Sequence, residues 1–345
     1  MLEFLQYQYL DNPLFHYYIL SFVVILGLIF GSFINVVGLR LLSGESIVLP
    51  PSKCPKCNTK LKWYDNIPVL AYLTLGGKCR YCKTNISWQY PVVEAMNAVL
   101  YLLIFLKFEF SIATLFLWIL ASCSIVMCIT DFREQVIFDA VSMPLIPIGL
   151  VYSFFNLGML PEHSINILNT NFAISNVFAS SLIATVLAFI IFEFISLCSK
   201  LIIKQRAFGE GDTIIAMIFG AFFGLQVLLL TILLSFVIQA LITFPLIILK
   251  MIKLKDKIAF FSFATLLISA LIPLFLLRFD VFYNSVWGFI LFVSVLLLAS
   301  VSALKFLKRM NELNAYTMLP FGPALIIAGF LAFWFKDYFI SILGF

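Results

Sequence analysis

Gly209-Glu210-Gly211-Asp212 runs directly into the apolar stretch Thr213-Ile-Ile-Ala-Met-Ile-Phe-Gly220. A carboxylate at the head of such a segment is costly to bury, and it is kept there when it faces a wet cavity and works. Asp212 is therefore a candidate for chemistry. Gly209 and Gly211 would allow a turn free of the Cβ penalty and the close approach of another backbone. A helix starting at Asp212 would aim the positive end of its dipole at the carboxylate. The plainer alternative is a helix cap, since Asp is a favoured capping residue.

A second acid bears on that choice. The apolar run 112–130 ends at Asp131, so one helix finishes on an acid near where another begins on one. Whether the two meet depends on topology.

Composition sets the class. Apolar residues are 63% of the 345 and charged ones 11%, and several apolar runs exceed eighteen residues. That describes an all-α polytopic membrane bundle. The first span, 18–42, is too long for a signal-peptide core and has no basic region before it, so it is read as a mature helix. Further spans are expected at 92–108, 111–131, 139–157, 172–203, 212–224, 226–249, 258–277, 285–304 and 319–343, giving about ten helices in a single membrane-embedded domain, 1–345.

Basic residues orient this bundle. Nineteen of the 22 Lys and Arg fall in loops on one side; only Lys107, Arg278 and Lys336 fall on the other. By the positive-inside rule the N-terminus and the 158–171 loop lie outside and the 43–91 loop is cytoplasmic. The helix ending at Asp131 then runs inward and the helix from Asp212 runs outward, so both acids reach the cytoplasmic end and can pair. The net charge of +5 reflects topology and contact with lipid headgroups. No continuous basic face with interleaved aromatics points to nucleic acid.

The stretch 212–224 is short. Thirteen residues reach about 20 Å, against a hydrocarbon core of about 30 Å. Either Asp212 starts below the interface in a water-filled recess, or the turn at Gly224-Leu225-Gln226 is submerged. The first option suits a reaction that consumes water. Glu193, lying mid-helix, reads as an interhelical contact.

The 43–91 loop carries Cys54-Pro-Lys-Cys57 and Cys79-Arg-Tyr-Cys82, two CxxC pairs separated by 21 residues. This is the spacing of a four-thiolate zinc site, and cytoplasmic thiols stay reduced, which disfavours disulfides. Cys123, Cys128 and Cys198 lie in apolar helices and read as small hydrophobes. No internal repeat stands out. The only histidines, His16 and His163, fall near span ends on the outer side, so neither an HExxH zinc protease nor a Ser-His dyad can be assembled beside the acids. A carboxylate pair remains. Two carboxyls held close share a proton, one acting as base toward water and the other as acid toward a scissile carbonyl.

These residues resemble the prepilin peptidases, or type IV leader peptidases, of the GxGD aspartyl protease group. The resemblance rests on Gly31-Ser-Phe-Ile-Asn-Val-Val-Gly-Leu-Arg40, Asp65-Asn-Ile-Pro68, Gly77-Lys-Cys-Arg-Tyr-Cys82 and Tyr90-Pro-Val-Val-Glu94, then Asp131 with Asp139 eight positions on, Gly209 to Asp212, and Pro320-Phe-Gly-Pro323. It implies catalytic aspartates Asp131 and Asp212, supported by Gly209, Gly211 and Asp139. It implies as substrates type IV prepilins or pseudopilins, cut at the cytoplasmic face of the bacterial inner membrane between a basic leader and an apolar helix. Because Cys54, Cys57, Cys79 and Cys82 are all present, it also implies N-methylation of the new terminus from S-adenosylmethionine, with Gly77 and Lys78 matching a motif linked to that activity.

The sequence departs from the family pattern at Phe138, Ile214 and Gln89, where Pro, Lys and Arg are usual. The 251–310 segment is an added two-helix insert. The rivals are an ion-coupled transporter using intramembrane acids, which would hold them nearer the midplane and need no four-cysteine loop, and a structural secretion subunit with a zinc-braced loop.

Overall fold

The computed structural model describes residues 13–49, 51–155, 164–167, 170–173, 177–203, 208–254, 261, 265 and 320–343. The chain divides into two compact units, Met1–Val237 with Pro320–Phe345, and Ile238–Leu319. The second contains the expected insert; apart from Phe261 and Thr265, the spans 258–277 and 285–304 lie outside the described residues.

The described elements are α1 (Pro13–Ser43), α2 (Leu70–Thr74), α3 (Gln89–Phe108), α4 (Ile112–Glu134), α5 (Asp139–Ser142), α6 (Leu145–Phe154), α7 (Val177–Ile203), α8 (Glu210–Leu254), α9 (Gly322–Trp334) and α10 (Lys336–Leu343). An antiparallel hairpin, β1 (Ser164–Ile167) with β2 (Thr170–Ala173), is the one departure from helix among them, in register Ser164 with Ala173. Five helices are long and apolar enough to cross a membrane: Leu14–Ser43, Gln89–Phe108, Ile112–Glu134, Val177–Leu201 and Glu210–Leu246. The multi-pass helical class holds.

Glycine sets how closely the helices pack. A Cβ at Gly27 would lie 2.6 Å from the Cα of Ala98, and one at Gly31 would lie 2.7 Å from the Cα of Glu94, so α1 and α3 meet backbone to backbone. Such contact drives association where lipid removes the hydrophobic incentive. Buried amides lock the register: Asn97 Nδ2 donates to Gly27 O at 2.7 Å and Asn35 Nδ2 to Tyr90 O at 3.2 Å.

The expected spans 212–224 and 226–249 form one element, α8, broken at Gly224 (φ 76°, ψ −173°). Of the two options, the structure has the turn enclosed by protein. Phe222, Phe223, Leu225 and Val227 are buried around it, and the Leu225 N–H donates to Ser180 Oγ of α7 at 3.2 Å. Irregular backbone is tolerated at membrane depth when protein satisfies it in this way. Gly220 and Gly224 face Ala184 and Ser180 at small-residue spacing, and a Cβ at Gly224 would stand 2.9 Å from Ser180 Oγ.

The core is aromatic rings in glycine sockets. Phe222 fills the space at Gly149 of α6, Phe219 fills that at Gly329 of α9, and Phe223 stacks on Phe333 with centroids 4.2 Å apart. Gly329→Ala would put a methyl into the Phe219 ring, and such overpacking costs about 1–3 kcal/mol. We expect a lowered unfolding temperature in detergent, with Phe219→Leu partly restoring it in the double variant. Additive losses would dissociate the two residues.

Candidate active site and metal centre

Asp131 does not end its helix. α4 continues to Glu134 and closes on Gln135 in the left-handed region (φ 55°), whose N–H donates to Asp131 O at 3.0 Å. The acid thus sits in the last turn, 6% exposed, and its Oδ2 is buried without a hydrogen-bond partner. An orphaned buried carboxylate oxygen is expensive and calls for an explanation.

Asp212 does not begin its helix either. α8 starts at Glu210, so Asp212 occupies the third helical position and its Oδ2 accepts from the Gly209 N–H at 3.2 Å, half of a capping box. The glycines act differently from the turn expected of them. Neither has positive φ. A Cβ at Gly211 would lie 2.7 Å from Ile137 Cδ1, so it is a side chain from the 135–138 connection that needs the space, while at Gly209 the nearest atom would be Asp212 Oδ2 at 3.8 Å.

Gly322, at the start of α9, joins the two helices. A Cβ there would fall 2.5 Å from Asp131 Oδ2 and 3.2 Å from Ile215 Cδ1. Ile215 lies three residues after Asp212, on the same helix face. The acids are close enough for the charge of Asp131 to act on Asp212. Asp139 is exposed at the first position of α5, where a negative charge suits the helix dipole. The role of Gly322 was not apparent from sequence, although its motif was: nothing local says which residue a glycine stands beside. Ile214 is in the core, 8% exposed, where a lysine could not remain solvated.

The four loop cysteines come together. Their sulfur atoms all lie within 4.8 Å of one another, and Cys54 Sγ is 3.8 Å from Cys82 Sγ. A tetrahedral zinc with Zn–S bonds of about 2.3 Å needs sulfurs about 3.8 Å apart, so the set fits the ion. Two of the four thiols are poised to ionise. The Thr84 hydroxyl and then its N–H pull the half-buried Cys82 thiol down to about 6, and Thr59 lowers Cys57 by the same two groups.

The loop is also a duplication, contrary to the expectation of no repeat. Ser52-Lys-Cys-Pro-Lys-Cys-Asn-Thr-Lys-Leu61 and Gly77-Lys-Cys-Arg-Tyr-Cys-Lys-Thr-Asn-Ile86 are 25 positions apart. Each first cysteine donates its N–H to a threonine carbonyl, Cys54 to Thr59 at 3.0 Å and Cys79 to Thr84 at 2.8 Å. Each second cysteine is followed by a left-handed residue, Asn58 (φ 54°) or Lys83 (φ 57°), and each copy is closed by a last N–H, Leu61 to Ser52 O and Ile86 to Gly77 O. Aligning the pairs on Cys-x-x-Cys-x-Thr would have exposed it.

The motifs around the cysteines brace the loop internally and tie it to α3. Asp65 accepts from Arg80 Nε at 2.7 Å and from the Tyr81 hydroxyl at 3.2 Å. Its side chain is 2% exposed. Burial pushes its carboxyl up, but the Arg80, Lys62 N–H and Tyr81 bonds outweigh this and hold it below the usual range. Glu94 of α3 accepts from the Val69 N–H at 2.7 Å, and Arg133 of α4 donates to Gln89 at 2.7 Å. Between loop and helices lies a cavity of about 650 Å³. Gly77 (φ 67°) backs Tyr72, where a Cβ would meet its hydroxyl at 3.0 Å; neither Gly77 nor Lys78 lines the cavity.

Two family models match the chain, the bacterial peptidase A24 N-terminal domain over residues 25–108 and the type IV leader peptidase family over 118–244. Curated relatives bear the name prepilin leader peptidase/N-methyltransferase. One from Pseudomonas aeruginosa is 31% identical over 247 residues, covering 64% of this chain and 78% of that protein. One from Pseudomonas putida is 29% identical over 248 residues, covering 65% and 80%. One from Myxococcus xanthus is 29% identical over 208 residues, covering 60% of this chain and 57% of its own length. No solved structure matches the chain. With both halves of the peptidase matched in order around the two acids and the cysteine loop, the chain belongs to the type IV leader peptidase family.

Proposed function

We propose that the chain is a bifunctional prepilin peptidase, removing the basic leader of type IV prepilins or pseudopilins and methylating the new N-terminus. The observation that carries the cleavage reading is the orphaned Oδ2 of buried Asp131 within electrostatic reach of Asp212. In this reaction one carboxylate takes a proton from water as the oxygen adds to the scissile carbonyl, and the other gives a proton to the carbonyl oxygen. Collapse of the tetrahedral species breaks the C–N bond, and the departing amine takes up a proton. Gly322 leaves room beside Asp131, and Gly211 admits Ile137. Both acids lie in terminal turns of their helices rather than mid-span, which favours this reading over an ion-coupled transporter.

The relatives' names carry the methyl transfer, whose donor is S-adenosylmethionine. Cys54, Cys57, Cys79 and Cys82 would hold structural zinc, bracing the loop. The excess of Lys and Arg at the acid-bearing end supports an inner-membrane orientation with that end cytoplasmic and the N-terminus outside. The protein's partners are then its prepilin substrates and lipid, with no role for nucleic acid.

Asp131→Asn and Asp212→Asn remove a proton carrier while preserving shape. Each should lower prepilin cleavage by more than ~10²-fold, with the double variant little worse, because coupled catalytic groups are not additive. Methylation of a pre-cleaved pilin should persist in both. Wild-type cleavage by either inserted variant would remove the dyad.

Purified protein should contain about one zinc per chain, and Cys57→Ser should reduce it. Metal-free protein with an ordered loop would overturn the assignment. The type IV leader peptidase match stops at residue 244, so replacing residues 253–309 by a short polar linker should leave measurable cleavage. Complete loss in a stably inserted chain would make the segment part of the site.

A further inference from the structure

Two phenylalanines stand immediately before two glycines of the acid end, and their rings meet. Phe208 precedes Gly209, whose N–H donates to Asp212 Oδ2 at 3.2 Å, and Phe321 precedes Gly322, beside which Asp131 Oδ2 lies. The two ring centroids are 5.0 Å apart. We propose that this ring pair is a clamp that sets the separation of the two carboxylates, with Phe208 and Phe321 as positioning residues; the proposal rests on the peptidase reading above.

Two further rings close the set. Phe192 of α7 lies 5.0 Å from Phe208, and Phe236 of α8 lies 6.1 Å from Phe208 and 5.6 Å from Phe321. All four distances fall within the range of about 4.5–7 Å that favours tilted and edge-on aromatic pairs. Phe208 and Phe192 are buried, at 9% and 1% exposure. The backbone is held as well. The buried Ser196 of α7 donates from Oγ to Phe208 O at 3.3 Å, so the 208–209 peptide has its carbonyl tied to α7 and the N–H of Gly209 on Asp212.

The glycines explain why rings are needed here. Gly322 keeps space beside Asp131, and Gly209 is exposed, with Asp212 Oδ2 the nearest atom to any Cβ it could carry. A residue without a side chain cannot anchor itself and is conformationally loose. Anchoring therefore falls to the preceding residue, and in both places that residue is a phenylalanine. Because the two rings pack on each other, a shift at either glycine is resisted by the support of the other acid.

Separation governs how the pair titrates. Two nearby carboxyls lose their protons in two macroscopic steps, and like-charge repulsion pushes the steps apart. The other ionisable groups on the surrounding turns are Cys128, Arg133 and Glu134 of α4, Asp139 of α5, Glu193 of α7 and Glu210 of α8; α9 carries none. A fixed charge among them moves both steps in the same direction, so the gap between the steps reports the pair. At an effective dielectric of about 20 and carboxylate separations of about 4–5 Å, each added ångström closes that gap by roughly half a pH unit.

The pH profile of prepilin cleavage by the full chain in detergent tests this, since the width of a bell-shaped profile is that gap. Phe208→Leu and Phe321→Leu should each narrow the bell by about half a pH unit and lower kcat roughly tenfold with KM little changed. The double variant should be little worse than either single one, because both break the same contact. Phe333→Leu removes a ring stacked on Phe223 at the far end of α9 from Gly322. It should lower the unfolding temperature and leave the width unchanged. Where Phe208→Leu fails to insert, Phe208→Met takes its place, conserving bulk without a ring. Inserted variants at positions 208 and 321 that keep the wild-type width overturn the clamp, even where kcat falls. Absence of cleavage by the wild-type chain removes the peptidase reading instead.

Discussion

The whole assembly depends on how closely two helix backbones can approach when neither gains by leaving lipid. Lipid tails are as apolar as the side chains, so burial gives little preference for one neighbour over another. What distinguishes them here is absence of bulk: Gly27 and Gly31 against α3, Gly220 and Gly224 against α7, Gly149 and Gly329 as sockets for Phe222 and Phe219. Where backbones touch, amides such as Asn97 and Asn35 reach carbonyls across the gap and fix the register. The last turn of α4 and the first turns of α8 meet at Gly322 of α9, where a Cβ would fall against both Asp131 and Ile215.

The same economy of space governs the acid end. Gly322 and Gly211 are places where a methyl would strike Asp131 or Ile137. The loop is then moored to α3 by Glu94, which accepts from the Val69 N–H, while Arg133 of α4 donates to Gln89 at the start of α3. Glutamine at position 89, where the family usually has arginine, accepts from Arg133; an arginine there would set two guanidiniums against each other.

Much of this was readable in the sequence. The carboxylates and thiols were legible because each is chemically costly in an apolar chain: an acid at a helix end or a pair of CxxC motifs has few bland explanations. The helical class followed from run length alone. The break at Gly224 was legible as a shortfall in length, but not as a buried turn, because Ser180 is 45 positions away in the chain. The helix start at Asp212 was misjudged by two residues and the helix end at Asp131 by three, since apolar runs report lipid contact and not where backbone bonds begin or stop. Gly211, Gly322 and Gly77 were visible as motif members, yet their neighbours, Ile137, Asp131 and Tyr72, are set by tertiary contact. The duplicated knuckle was missed although it was in plain sight, because outside its cysteines, Thr59/Thr84 and one lysine its two copies share little.

The broken backbone at Gly224 also bears on how this chain accommodates extra length. A continuous helix transmits phase: each added residue turns everything beyond it by about 100°. At Gly224 the helical bond pattern stops and starts again, so the azimuth of the Asp212 half is set by Ile137, Ala184 and Gly322 alone. A single residue at positive φ thus divides α8 into a proximal half that carries Asp212 and a distal half whose course is set by its own buried residues, Leu225, Val227, Leu228 and Leu230.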